Sequence, residues 1–334
     1  MSVMARTNTF GDISLHMGRR PPPPQPRRIV QKPAIQEEET EGEVLVTFPR
    51  QLLRYWNVAM SLLHTLLALV TLALANPDLE VPLFRTSLLF EVLENGTYVT
   101  VTNTTERTDG RAFRLWPYFE QRGSLRLVDL TVAFSLVTAA FHLLNATLLW
   151  RFYVFALERC YTPTRWLEYA FSAPIMFVLI SYGLGMRARS DYVAGVALIA
   201  TTMFFGFWTE REGRPASDAT WTRPFLGRIY PWLLGHIPQL AAWSVVLLQF
   251  YDNGWDSARV PWFVHFILWG ELTLFFSFGA ASFVSQWGPP RYFYRGELCF
   301  QVLSLLSKGL LGVLLLTNVL MLQRFDDIYE DTAR

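Results

Sequence analysis

The chain has 334 residues, of which 51% are hydrophobic and 15% aromatic, with a formal net charge of +1. So even a balance leaves no electrostatic footprint for nucleic acid, and a mean hydropathy of +0.23 with apolar runs of about 20 residues excludes an ordinary water-soluble domain. The expectation is an integral, multi-pass protein of the lipid bilayer.

Residues 1–47 combine Pro21 to Pro24 with Arg19, Arg20, Arg27 and Arg28, then the acidic run Glu37-Glu38-Glu39-Thr40-Glu41. Low hydrophobicity and proline favour a disordered tail with polyproline II character. PPPPQP also has the composition of an SH3 or WW ligand, although a plain solvated tail is the simpler reading. No apolar stretch precedes a small-residue cleavage site, so the first span is expected to direct insertion itself.

Apolar runs follow at about 52–75, 127–150, 166–186, 191–209, 229–250, 260–284 and 297–322. They predict an all-α membrane protein, a seven-transmembrane-helix bundle over 48–325, closed by a short acidic tail at 326–334. Arg50 and Arg54 precede the first span; Arg151, Arg159 and Arg165 fall between the second and third. Arg211, Arg214, Arg223 and Arg228 follow the fourth, and Arg291 and Arg295 precede the seventh. With seven spans these all lie on one side, which the positive-inside rule makes cytoplasmic. The N-terminus is then cytoplasmic and the C-terminus extracellular. Cys160 and Cys299 fall near the cytoplasmic face, where a disulfide is not expected.

The first loop, 76–126, carries Leu88 to Glu94, then Asn95-Gly96, then Thr97 to Thr102. Two β-prone runs around Asn-Gly predict a β-hairpin in an extracellular loop. Asn95-Gly-Thr and Asn103-Thr-Thr are glycosylation sequons, useful only on an exported loop. Arg107, Arg111, Arg114, Arg122 and Arg126 argue the other way, but long loops cross membranes largely regardless of charge. An exposed strand edge could pair with a second copy.

A bundle that only had to sit in lipid would avoid His64, His142, Glu168, His236, His265, Glu271 and Lys308, each of which costs insertion energy. Helical spacing puts Ser304 one turn before Lys308, Ser172 one turn after Glu168 and Thr138 one turn before His142. Those hydroxyls either serve the titratable groups or bond their own backbone carbonyls. Lys308 and Glu168 are hard to tolerate in separate apolar helices unless they meet. At about 4 Å and an effective dielectric near 20 they would attract by roughly 4 kcal/mol, of the order of the desolvation cost. A desolvated lysine has a second escape, condensation with a carbonyl compound.

Arg165-Trp-Leu-Glu-Tyr-Ala-Phe-Ser-Ala-Pro-Ile-Met176 in the third span, with Leu306-Ser-Lys-Gly-Leu-Leu-Gly312 in the seventh, resembles the heliorhodopsins. These are similar to the microbial rhodopsins but are inverted in the membrane, with the N-terminus inside. The resemblance covers the seven-span body and the first loop. It implies all-trans retinal bound covalently to Lys308 as a protonated Schiff base, with Glu168 as counterion. It also implies a polar network of Asn57, His64, Thr138, His142 and Glu210, and a homodimer. Tyr169, Ser172, Met176 and Ser304 are candidate pocket residues on the counterion and lysine faces, and Phe275 and Phe276 candidate sixth-span walls. Two positions depart from the family pattern. Leu67 stands where a glutamine is common, and Glu271 stands where an apolar residue is expected.

Retinal pumps of the outward type place a carboxylate one turn before the lysine and a proton donor three turns beyond the counterion; here those positions are Ser304 and Leu179. The expected function is therefore light sensing with a slow photocycle, read out by a cytoplasmic signalling partner. The alternative is a light-gated proton channel using Glu271. A receptor or transporter without chromophore is a third reading. Nothing suggests an enzyme, and no local spacing resembles a metal site.

Overall fold

The computed structural model describes residues 45–94, 97–100, 113–252 and 260–322. The proline-rich segment, both sequons and the acidic tail at 326–334 lie outside the described residues. Among the described residues, eight α-helices and three strands follow in chain order: α1 (Arg50–Leu74), β1 (Glu80–Glu94), β2 (Thr97–Thr100), β3 (Phe113–Arg126), α2 (Leu127–Ala146), α3 (Trp150–Leu157), α4 (Pro163–Gly183), α5 (Arg189–Glu212), α6 (Phe225–Asp252), α7 (Trp262–Trp287) and α8 (Phe293–Leu315). A π turn, Leu316–Leu320, extends α8.

Six of the long helices have the length and apolar character to cross a membrane. The seventh, α4, is 21 residues long but buries Arg165, Glu168, Tyr169 and Ser172. Its polar side chains lower its hydropathy because they point into the bundle, where a helix carrying the site must place them. The seven long helices pack as a closed ring in the order α1, α2, α4, α5, α6, α7, α8 and back to α1, with α4 touching α7 across the middle.

The second apolar run is not one helix. The chain leaves α2 at Thr147, whose hydroxyl donates to the Leu143 carbonyl at 2.6 Å, and turns through three residues into the short α3. That turn lets Tyr153 point back into the bundle, where it is 1% exposed. The packed body also begins slightly earlier than residue 48. Val46 is buried with Leu53, Tyr153 and Leu157, and its N–H donates to the Glu158 carbonyl at 2.9 Å.

The first loop forms a three-stranded antiparallel sheet in the order β2-β1-β3. Glu94 pairs with Thr97 across the Asn95-Gly96 position, as a two-residue hairpin connection requires. The third strand pairs along almost the whole of β1, with a register shift between Pro82 and Phe84. Val81 and Leu79 enter the main core beside Leu184 and Met186, and the Phe84 N–H donates to the Arg187 carbonyl at 3.0 Å. The sheet thus caps one end of the bundle. At the opposite end the arginines gather: Arg50 pairs with Glu158, Arg223 pairs with Glu212, and the Arg291 N–H donates to the Asp218 carbonyl.

Candidate functional site

Helix α8 turns one polar face inward. Glu297, Gln301, Ser304 and Lys308 follow at spacings of four, three and four residues and all are buried. Lys308 is 3% exposed. Its Nζ lies 3.1 Å from Glu168 Oε1 on α4, donates to Ser304 Oγ at 2.7 Å, and sits 5.0 Å from the centre of the Tyr169 ring. The ammonium therefore meets an anion, a hydroxyl and an aromatic face, the three kinds of group that offset its desolvation.

Glu168 Oε1 also accepts a 2.5 Å hydrogen bond from Thr138 Oγ1 on α2. Thr131 and Ser135, two turns and one turn earlier on the same helix, bond their own backbone carbonyls instead. Only the hydroxyl that has an anion opposite leaves its helix. Ser172 Oγ is buried with no partner.

Beyond Glu168 toward the arginine-rich end, a second polar layer begins. His142 Nδ1 lies 2.8 Å from Asn57 Oδ1, and the His64 ring is stacked parallel to that of His142 with centroids 6.1 Å apart. Both His64 nitrogens are buried without a partner, unusual for an imidazole unless it serves a polar network. A cavity with about 270 Å³ of empty volume separates Glu168 from Glu297, bordered by His142, Asn145, Arg165 and Gln301.

Arg165 closes this layer. It forms ion pairs with both Glu210 on α5 and Glu297 on α8. Glu210 Oε2 accepts from the Thr162 N–H at 2.8 Å and its hydroxyl at 2.9 Å; Glu297 Oε1 accepts from Tyr153 Oη at 2.8 Å. Glu297 and Tyr153 were absent from the residues expected above, and the inward face of α8 is the signal that would have found Glu297.

Glu271 stands apart from Glu168. It is fully buried on α7, and its Oε2 accepts from Ser307 Oγ, the neighbour of Lys308 in sequence, at 2.6 Å, while Oε1 has no partner. Leu67 fills the space against Gly312 of α8, where an added Cβ would lie 3.0 Å from it.

On the other side of Lys308 a cavity with about 760 Å³ of empty volume, open solvent at its mouth included, runs between α4, α5, α6, α7 and α8. Tyr169, Ser172, Met176, Phe275 and Ser304 line it together with Lys308. Phe276 does not: it is turned toward His236, while Phe278, three residues after Phe275, occupies the wall. Trp166, Met203, Phe205, Trp232, His236 and Gln239 are among the other residues that line it; of these only His236 was singled out from the sequence, and not as a pocket residue. A cavity walled by aromatic and apolar groups, with one buried primary amine at its edge, fits retinal: the polyene takes the apolar walls and the amine takes the aldehyde. Gly206 makes room for that wall, since a Cβ there would lie 2.1 Å from the Trp166 ring.

A sequence-family model described as Heliorhodopsin matches residues 53–320. No curated protein matches the chain at a significant level. Among solved structures, that of a light-driven proton pump from Leptosphaeria maculans superposes with a TM-score of 0.50 at 11% identity, covering 82% of this chain and 98% of that one, a likeness of fold alone. With the family match extending over most of the chain and the microbial-rhodopsin fold beneath it, the chain belongs to the heliorhodopsin family, integral membrane photoreceptors whose chromophore is retinal.

Proposed function

We propose that the protein is a light sensor in which Lys308 holds all-trans retinal covalently as a protonated Schiff base and Glu168 is its single counterion. The observation that carries this is the buried Lys308–Glu168 pair at 3.1 Å, opening on an apolar cavity. When bound, retinal supplies visible absorption and a light-driven change of shape next to Lys308 Nζ.

The protein's own groups do the rest. Glu168 stabilises positive charge at Lys308 Nζ, and Thr138 fixes the carboxylate by donating to its Oε1. Tyr169 and Ser304 hold the lysine end. A proton leaving Nζ passes first to Glu168 and then toward the layer of His142, His64 and Asn57, which lies nearest on the arginine-rich side. His142 borders a small cavity with Arg165 and Glu297, and His64 and Asn57 are fully buried, so we expect the proton to return slowly and a signalling form to persist. Ser304 and Leu179 stand where outward pumps place carboxylates, which favours sensing over pumping.

The orientation we infer puts the arginine-rich end in the cytoplasm, with the sheet outside, where β2 offers an edge for a homodimer and the opposite face meets a cytoplasmic signalling partner. A glycosidase-sensitive mobility shift in a eukaryotic host, lost in Asn95→Gln/Asn103→Gln, tests that orientation; a chain that is never glycosylated there argues against it.

The decisive test of the chromophore is the visible spectrum of protein purified with all-trans retinal, beside Lys308→Ala and an acid titration. A band lost in Lys308→Ala and moving to the red on acidification supports the reading. If no band forms, Lys308 and Glu168 are a structural ion pair. A second reading, light-gated proton conduction, is favoured by one observation: Glu271, with an unpartnered Oε1, reaches Ser307 beside Lys308 from the side away from Glu168's network.

A further inference from the structure

We propose that the pocket at the C-terminal end of α5 binds the headgroup of an anionic phospholipid, with its acyl chains laid along the α5 aromatics. Three guanidiniums, those of Arg211, Arg214 and Arg223, converge there on a surface cavity with about 1430 Å³ of empty volume, open solvent included. The single carboxylate in its lining, Glu212, is already engaged. It pairs with Arg223 and accepts from Trp208 Nε1 at 2.9 Å. Among the described residues neither Arg211 nor Arg214 has an ion pair, so the pocket keeps an excess of positive charge.

The pocket is built rather than a chance gathering of long side chains. Thr222 donates to the Arg214 carbonyl through both its N–H, at 2.8 Å, and its hydroxyl, at 3.0 Å, and Pro215 bridges to Trp221. That short loop brings Arg214 beside Arg223. Arg211 Cζ lies 5.7 Å from the Tyr161 ring, and Trp208 is clamped between a stacked Phe205 at 5.8 Å and an edge-on Tyr230 at 5.6 Å.

Charge alone would suit any phosphate. The aromatic wall decides for a lipid. Phe204, Phe207, Trp208 and Arg211 follow at helical spacing on one face of α5, and Phe204 is 60% exposed on the apolar stretch of that helix. Going along α5 from Phe204 to Arg211, the pocket changes from acyl-compatible to phosphate-compatible, the order in which a phospholipid presents its parts. Basic pockets at the ends of membrane helices recognise anionic headgroups in this way, and guanidinium forks match phosphate oxygens bidentately.

Native mass spectrometry of the full chain in detergent, with added phosphatidylglycerol, phosphatidylcholine or inorganic phosphate, tests the proposal without requiring retinal. One phosphatidylglycerol per chain should be retained in preference to phosphatidylcholine. Arg211→Gln/Arg214→Gln should weaken retention by about tenfold or more, the loss expected for two interfacial arginines. Arg291→Gln/Arg295→Gln, at the same end but outside the pocket, should leave it unchanged. Thr222→Glu, which adds a carboxylate and removes no arginine, should also abolish retention, so the idea stays testable if the double variant fails to fold. Displacement of the lipid by equimolar inorganic phosphate would make this a soluble-phosphate site and overturn the proposal. So would equal retention of phosphatidylcholine, or an equal loss in the Arg291/Arg295 variant.

Discussion

Lys308 Nζ and Glu168 Oε1 lie 3.1 Å apart, each side chain at most 5% exposed, and the same carboxylate oxygen takes the Thr138 hydroxyl. At that distance and an effective dielectric near 20 the attraction is about 5 kcal/mol, of the order of the cost of burying the two charges. The pair is thus close to neutral for folding as a unit, and its loss in halves is not.

Before any chromophore is added, Lys308→Ala should destabilise the chain by about 3–5 kcal/mol, because it strands Glu168. Glu168→Gln should do the same from the other side. Lys308→Met/Glu168→Leu should recover most of the loss, a non-additivity measurable by thermal unfolding in detergent. Additive losses would mean that the two groups do not depend on each other. With retinal present, Glu168→Gln should move the visible band to the red, since the anion stabilises positive charge at the nitrogen more in the ground state than in the excited state.

Arg165 should be less replaceable still. It holds two buried carboxylates from two other helices, so Arg165→Gln leaves Glu210 and Glu297 facing each other without a cation. A loss of about 3–5 kcal/mol is expected, with partial rescue by Glu297→Gln in the same chain. The measurement is the unfolding midpoint of single and double variants. If Glu297→Gln adds to the damage, the two carboxylates are held independently of Arg165.

Much of this centre can be read from residue order. A lysine and a glutamate in separate apolar runs, each with a hydroxyl one turn away, have few places to go except toward each other. Glu297 was harder to see because it opens its span and so reads as a boundary residue; its partners, Arg165 and Tyr153, come from two other helices. Tyr153 itself depends on the break after Ala146, which no proline or glycine announces. Phe275 and Phe276 were equivalent in a list of aromatics, but on a helix they point about 100° apart, and the cavity stripe on α7 runs Phe275, Phe278, Gly279, Ser282. The hairpin was legible from Asn95-Gly96. The third strand was not, since Pro117, Gly123 and several arginines blur its alternation.

Gly206 gives a steric test of the cavity. A Cβ there would lie 2.1 Å from the Trp166 ring, so Gly206→Ala must push the indole toward the space beside Tyr169. Overpacking of this kind costs about 1–3 kcal/mol. The visible band should form more slowly or to a lower yield, and Gly206→Ala/Trp166→Val should restore it. Normal chromophore uptake in Gly206→Ala would show that the indole has room to move elsewhere.

Glu271 separates sensor from channel. It is fully buried, takes one hydrogen bond from Ser307 and leaves Oε1 without a partner, an arrangement costly enough in a membrane helix to need a use or a compensating proton. If it relays protons, whole-cell clamp recording should show a light-evoked current that reverses with the proton gradient. Glu271→Gln, which keeps the shape but cannot exchange a proton, should reduce that current by about tenfold or more, the usual scale for removing a positioned acid–base group. Ser307→Ala should give a smaller loss by freeing the carboxylate from its one donor. Glu271→Gln should shift the visible band less than Glu168→Gln does, since Glu168 and not Glu271 pairs with Lys308. Absence of current at either polarity, with the band intact, leaves the sensor alone and makes Glu271 a neutral acid bonded between α7 and α8.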